Sequence, residues 1–294
     1  MLIIPSLICN MSCDFCINKT FPYGEPIHHN LLNLSNLKQE IRQYPKYFKT
    51  CTIIGGEPSL LPKNYLMDLI RLLKENRSKI KIISNGSNDL NRSFDFDDID
   101  LTISYDFHFR ENATKTLKNI INCKRDVYIN TIISEELMNE IGIQGLIKLS
   151  NLRNVKSVVL SKLEEIEQCQ LHEPTTDQML EIIRLCRRNE KIILEFDQEM
   201  WKTKILDEFK FIDKMIFLLP NGKYMHLYGN RHHETIDQCI HSLLHEYLPF
   251  IMMKQKSCLL CKHLDFCINS SQYDHCIGYE TILGELIHNE IIEP

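Results

Sequence analysis

Three cysteines near the start of the chain, Cys9, Cys13 and Cys16 in the stretch C-N-M-S-C-D-F-C, have the type and spacing to do chemistry. Their C-x3-C-x2-C arrangement offers three thiolates, whereas a cubic iron–sulfur cluster has four irons to ligate. Electron transfer alone favours a closed ligand set, so three thiolates would leave one iron open for an outside ligand. The competing use is a partial zinc site. Zinc knuckles pair C-x2-C units and complete a tetrahedral set. No fourth Cys or His follows at a suitable spacing, although His28 and His29 could be recruited by the fold.

A second group, Cys258-x2-Cys261-x5-Cys267-x8-Cys276, supplies four thiolates and therefore a closed site. Zinc and a four-iron cluster are both compatible with that count. The remaining five of the twelve cysteines, Cys51, Cys123, Cys169, Cys186 and Cys239, stand singly and read as small buried hydrophobes. Cys169 and, less directly, Cys239 have a second reading as hydrogen-atom donors, because Cys169 follows the sixth expected strand in a loop bordering the site.

Between the two groups, three strand-ending turns carry polar residues. Gly55-Gly56-Glu57-Pro58 follows a short apolar run. Its glycines permit close backbone approach and its carboxylate can accept from an ammonium, though an ordinary turn reads the same way. Ser84-Asn85-Gly86 ends the third expected strand, and Ser104-Tyr105-Asp106 ends the fourth.

The elements that must position these residues are legible from periodicity. β-branched runs over 2–7, 51–54, 80–84, 100–105, 127–133 and 156–160 predict strands. Helical patterns cover 36–44, 64–76, 112–122, 135–152 and 176–188, with Leu66, Leu69, Ile70 and Leu73 at i, i+3, i+4, i+7. Strands alternating with helices predict a parallel sheet, as a partial barrel or a doubly wound open sheet. One more strand over 192–196 and a helix over 201–215 precede a hairpin over 216–225 that turns at Asn221-Gly222. A helix over 235–248 follows.

Composition narrows the class. The 294 residues are 44% hydrophobic and 25% charged, ordinary for a globular protein, and a net charge of −5 argues against nucleic acid or an anionic membrane as the main partner. No apolar run approaches the roughly 20 residues that span a bilayer. The start is too short and uncharged for a signal peptide, so a cytoplasmic location is expected. In a reducing compartment clustered cysteines mean metal or catalysis.

The triplet with Phe15 before its last cysteine, followed by Gly55-Gly56-Glu57-Pro58, resembles the radical S-adenosylmethionine (radical SAM) superfamily. The resemblance implies an α/β fold, a partial (β/α)6 barrel with a small C-terminal cysteine-rich domain that holds an auxiliary cluster. Residues 1–205 would form the barrel, and 206–294 an auxiliary [4Fe–4S] domain similar to SPASM/Twitch extensions. It implies one [4Fe–4S] cluster on Cys9, Cys13 and Cys16, with S-adenosylmethionine at its open iron, and a second on Cys258, Cys261, Cys267 and Cys276. Phe15, Gly55, Gly56, Glu57, Ser84, Asn85, Ser104 and Asp106 become cofactor contacts, with Leu160 against the adenine. A basic residue among Arg110, Lys115 and Lys118 would meet the cofactor carboxylate.

The full SPASM pattern holds two auxiliary clusters. Here His226 and Leu227 stand where one of its cysteines is expected, and Ser271 replaces another, so a single auxiliary cluster is expected. The implied activity is reductive cleavage of S-adenosylmethionine to a 5′-deoxyadenosyl radical that takes hydrogen from a peptide. Crosslinking, thioether formation or epimerisation would follow. The alternative is a dehydrogenase of a sugar-like or cofactor-precursor small molecule. Flavodoxin or ferredoxin would supply the electron. The triplet begins at residue 9, without the N-terminal extension of many peptide modifiers, which weakens the peptide reading.

Overall fold

In the computed structural model of the chain, residues 1–13, 15–16, 31–107, 110–162, 171–194, 216–226 and 231–243 are described. The helix expected over 201–215, Cys169, and the group Cys258, Cys261, Cys267 and Cys276 lie outside them.

The first half alternates β1 (Leu2–Ile3), α1 (Leu34–Gln43), β2 (Thr50–Ile53), α2 (Lys63–Glu75), β3 (Lys79–Ser84), α3 (Leu90–Ser93), β4 (Ile99–Ser104) and α4 (Ala113–Asn122). It continues with β5 (Val127–Ile133), α5 (Glu135–Glu140), α6 (Gly142–Ser150), β6 (Val155–Lys162), α7 (Thr176–Arg188) and β7 (Ile192–Leu194). The hairpin β8 (Ile216–Leu218) and β9 (Tyr224–His226) and helix α8 (Ile236–Ser242) follow.

Strand order decides between the two architectures the pattern allowed. It runs β7-β6-β5-β4-β3-β2-β1-β8-β9, and β1 to β7 pair in parallel in strict chain order. A doubly wound sheet reverses direction at a switch point among its parallel strands, and β1 to β7 never do; β8 then joins on the free side of β1. The winding is that of a partial (β/α) barrel, and the sheet stays open.

Side-chain alternation gives the sheet two faces. On β5, Val127, Ile129 and Ile133 are buried, whereas Tyr128, Asn130 and Ile132 are half-buried. The first set joins the main core with Leu66, Leu69, Ile70 and Leu73 of α2, the helical stripe read from spacing. The second face is mixed. Register aligns Ser104 with Asn130 there, and Ser161 donates to the Asn130 Oδ1 at 2.7 Å.

Two expectations shift for local reasons. Regular pairing of β1 ends at Ile3 rather than residue 7, since Pro5 has no N–H to donate. Contact with the neighbouring segments continues irregularly, with Ile4 N–H to the Leu218 carbonyl at 2.8 Å and Gly56 N–H to the Ser6 carbonyl at 2.9 Å. The single helix expected over 135–152 is two, because Gly142, at φ +55°, ends α5 in the left-handed conformation that glycine adopts cheaply.

The hairpin turns where Asn221-Gly222 predicted. Its first strand pairs in parallel with β1 and its second antiparallel with the first, so they extend the main sheet. Two hydrogen bonds tie this edge to α1: Tyr224 Oη to Glu40 Oε2 and Tyr44 Oη to Asp237 Oδ2, each 2.7 Å. Among the described residues, no helix is long and apolar enough to cross a membrane.

Candidate active site

The loop after β1 carries the cysteine triplet, at the carboxyl end of the parallel sheet where such folds bind ligands. What holds this loop is the exit of β2. Gly56 N–H donates to the Ser6 carbonyl at 2.9 Å, and Glu57 N–H to the Ile8 carbonyl at 2.8 Å, one residue before Cys9. A Cβ on Gly56 would lie 2.0 Å from that Ile8 oxygen, and one on Gly55 2.6 Å from the Ser6 oxygen. The two glycines are thus required by the approach of the cysteine loop itself. Beside them a cleft of about 270 Å³, with Ile8, Leu31 and Leu60 exposed at its rim, opens next to Glu57.

Glu57 is buried, and its carboxylate is engaged inside the protein. Oε1 accepts from Ser84 Oγ at 2.7 Å and from Ser59 N–H at 2.9 Å, and Oε2 accepts from Asn85 N–H at 2.7 Å. The carboxylate expected to meet an ammonium instead anchors the turn after β3. Ser84 is committed to the same turn, accepting from Gly86 N–H at 3.1 Å.

From that turn Asn85 reaches the cysteine loop. Its Nδ2 donates to Asn10 Oδ1 at 2.9 Å and lies 3.8 Å from Cys9 Sγ. Asn10 Nδ2 in turn donates to Ser87 Oγ at 2.8 Å. On the other flank Asp106, buried, holds Arg110 by Nε at 2.7 Å and Nη2 at 2.5 Å, while Asp106 Oδ1 accepts from Ile132 N–H at 2.7 Å. The guanidinium lies 5.2 Å from the centre of the Phe15 ring, a cation–π contact that ties it to the triplet.

Burial pushes Cys9 and Cys13 above the usual thiol range, the charges of neighbouring cysteines add to this, and Arg110 works against it at Cys13. Burial disfavours the Arg110 charge, but Asp106 sustains it. Among the described residues no three Cys, His, Asp or Glu side chains form a group able to hold a single metal ion. A cubane makes no such demand, because each thiolate meets its own iron. Three thiols with the half-buried Arg110 cation on one side and an amide donor on the other suit that donor set.

The profile of the radical SAM superfamily matches residues 3–124, from β1 to the end of α4, and takes in the triplet, the glycine turn and Arg110. Residues 3–124 form a radical SAM domain. No curated protein matches the chain in sequence. The crystal structure of Streptococcus suis SuiB bound to S-adenosylmethionine is similar in fold, with a TM-score of 0.61, 13% identity, and coverage of 90% of this chain and 71% of that one. Histidine-tagged anSMEcpe with bound AdoMet aligns with a TM-score of 0.66 and 12% identity over 99% of this chain and 97% of its own. Native anSMEcpe with bound AdoMet and a peptide gives 0.63 and 11% over the same shares, 99% and 97%. At such identities the likeness is one of fold.

Within the radical SAM domain the structure gathers Cys9, Cys13, Cys16, Phe15, Gly55, Gly56, Glu57, Ser84, Asn85 and Asp106 around one loop system, with Ser104 at the end of β4. Of the basic candidates Arg110 lies beside Phe15 and the triplet, whereas Lys115 and Lys118 are exposed. Two expected contacts are not brought there. Leu160 is fully buried and pairs with Thr131, so alternation places it on the helix-packed face, opposite the face of Asn130 and Ser161. Cys239 sits on α8 in the main core, where burial pushes its thiol to about 12. Sequence reasoning missed Asn10 and Ser87. The only signal was their polarity beside motif residues, and pairing across 77 positions of chain leaves no local pattern.

Proposed function

We propose that the chain is a radical SAM enzyme that takes hydrogen from a peptide. Cys9, Cys13 and Cys16 would hold a [4Fe–4S] cluster, with S-adenosylmethionine bound beside it. When bound, the cluster would supply the single electron needed for reductive cleavage of S-adenosylmethionine.

The chain's own residues do the positioning. Gly55 and Gly56 admit the cysteine loop, Glu57 and Ser84 lock the turn after β3, and Asn85 joins that turn to the loop. Asp106 carries Arg110 to the triplet, where its planar fork suits a carboxylate. Ser104 supplies a hydroxyl from the end of β4. Cys258, Cys261, Cys267 and Cys276 would hold a second, auxiliary cluster in the C-terminal region beyond the hairpin and α8, a reading supported by their spacing.

The observation that carries the proposal is the convergence of three thiols, Arg110 on the buried Asp106, and the Glu57-anchored turn at the carboxyl end of the sheet. The likeness to anSMEcpe, seen with AdoMet and a peptide, supports the peptide class. Anaerobic reconstitution followed by reductant and S-adenosylmethionine tests it. Formation of 5′-deoxyadenosine is expected, and its persistence in a Cys9→Ala, Cys13→Ala, Cys16→Ala variant would overturn the reading.

A further inference from the structure

The turn after β3 does more than shape the loop. Asn85 is buried at 6% exposure, and every polar group of its side chain is assigned. Oδ1 accepts from Ser87 N–H at 3.0 Å, which settles the orientation of the carboxamide, since the amino end cannot accept. The two hydrogens of Nδ2 then point to two acceptors, Asn10 Oδ1 at 2.9 Å and Cys9 Sγ at 3.8 Å. Both ends of the residue's backbone are pinned as well: its N–H donates to Glu57 Oε2 at 2.7 Å, and its carbonyl accepts from Thr116 Oγ1 at 3.2 Å.

A group held at so many points cannot turn away when the sulfur changes charge. An N–H donor aimed at a cluster sulfur stabilises the reduced, more negative state, and so raises the reduction potential. We infer that the Asn85 carboxamide donates to the Cys9 thiolate and tunes the reduction potential of the cluster carried by the triplet, with Glu57, Ser87 and Asn10 as the frame that aims it. Asn85 acts through Cys9 and touches no reacting atom. The inference rests on the proposed cluster at Cys9, Cys13 and Cys16.

Asn85→Asp keeps the shape and the acceptor for Ser87 N–H, but replaces the donor with an anionic oxygen. In an EPR-monitored redox titration, following the signal that S-adenosylmethionine perturbs, the variant should be harder to reduce. The expected change is at least tenfold in the reduction equilibrium, about 59 mV for one electron. An unchanged midpoint in a variant that still binds its cluster and S-adenosylmethionine would overturn the inference and leave the proposed function standing. If the wild-type protein holds no cluster that S-adenosylmethionine perturbs, both fall. Should Asn85→Asp fail to fold, the wild-type protein labelled with 15N in its asparagine side chains decides the matter. Pulsed EPR of the reduced cluster should then show coupling to a side-chain nitrogen, and its absence would overturn the inference.

Discussion

Cysteines occupy two contrasting settings in this molecule. Cys9, Cys13 and Cys16 lie on a loop, exposed or half-buried, flanked by the Asn85 amide and the Arg110 guanidinium. Cys239 lies inside the core under β9, and burial alone pushes its thiol to about 12. The residue type is the same, but only the first setting provides charges and donors that can stabilise a thiolate or a metal bond. Tertiary neighbours, rather than the thiol, decide which cysteines are chemical and which are structural.

The largest test of that contrast is iron itself. Replacing Cys9, Cys13 or Cys16 with Ala should abolish cluster binding at the loop, whereas Cys239→Ala should keep it and lose only about 1 kcal/mol of stability. Iron and sulfide assays with denaturant titrations would show both, and equal iron loss in Cys239→Ala would break the comparison. Next comes the Arg110–Asp106 ion pair. Arg110→Leu strands Asp106, whose side chain is 4% exposed, and should cost about 3–5 kcal/mol in a chemical melt.

Gly56→Ala forces a Cβ into the Ile8 carbonyl and should destabilise by about 2–3 kcal/mol, with the loop shifted and cluster occupancy reduced. At the other edge, Tyr224→Phe removes the hydrogen bond to Glu40 and should cost about 1 kcal/mol without touching cluster content. The smallest effect belongs to an exposed pair. His172, next to Glu136, has its pKa raised above the ordinary 6.5 by that carboxylate. Its stabilisation is present below the unfolded value and fades as pH rises through the raised folded value. The difference in melting temperature between wild type and His172→Ala should therefore be small at acid pH and vanish toward alkaline pH.

The triplet and most of the strand–helix alternation are legible in the amino-acid sequence, apart from the short α3 and the break between α5 and α6. β5 spans the residues its alternation predicted, and α7 spans 176–188 with the Thr175–Gln178 capping box at its start. These are local properties, written in periods of two and 3.6 and in caps within one turn. Tertiary structure decided that the sheet winds in one direction and that the hairpin joins it beside β1. It also turned the Glu57 carboxylate inward to the β3 turn, put Leu160 on the helix-packed face, and brought Arg110 to Asp106 and Phe15. Each of those outcomes depends on register and on contacts between residues far apart in the chain. Backbone spacing alone carries no record of which face or partner a side chain will meet.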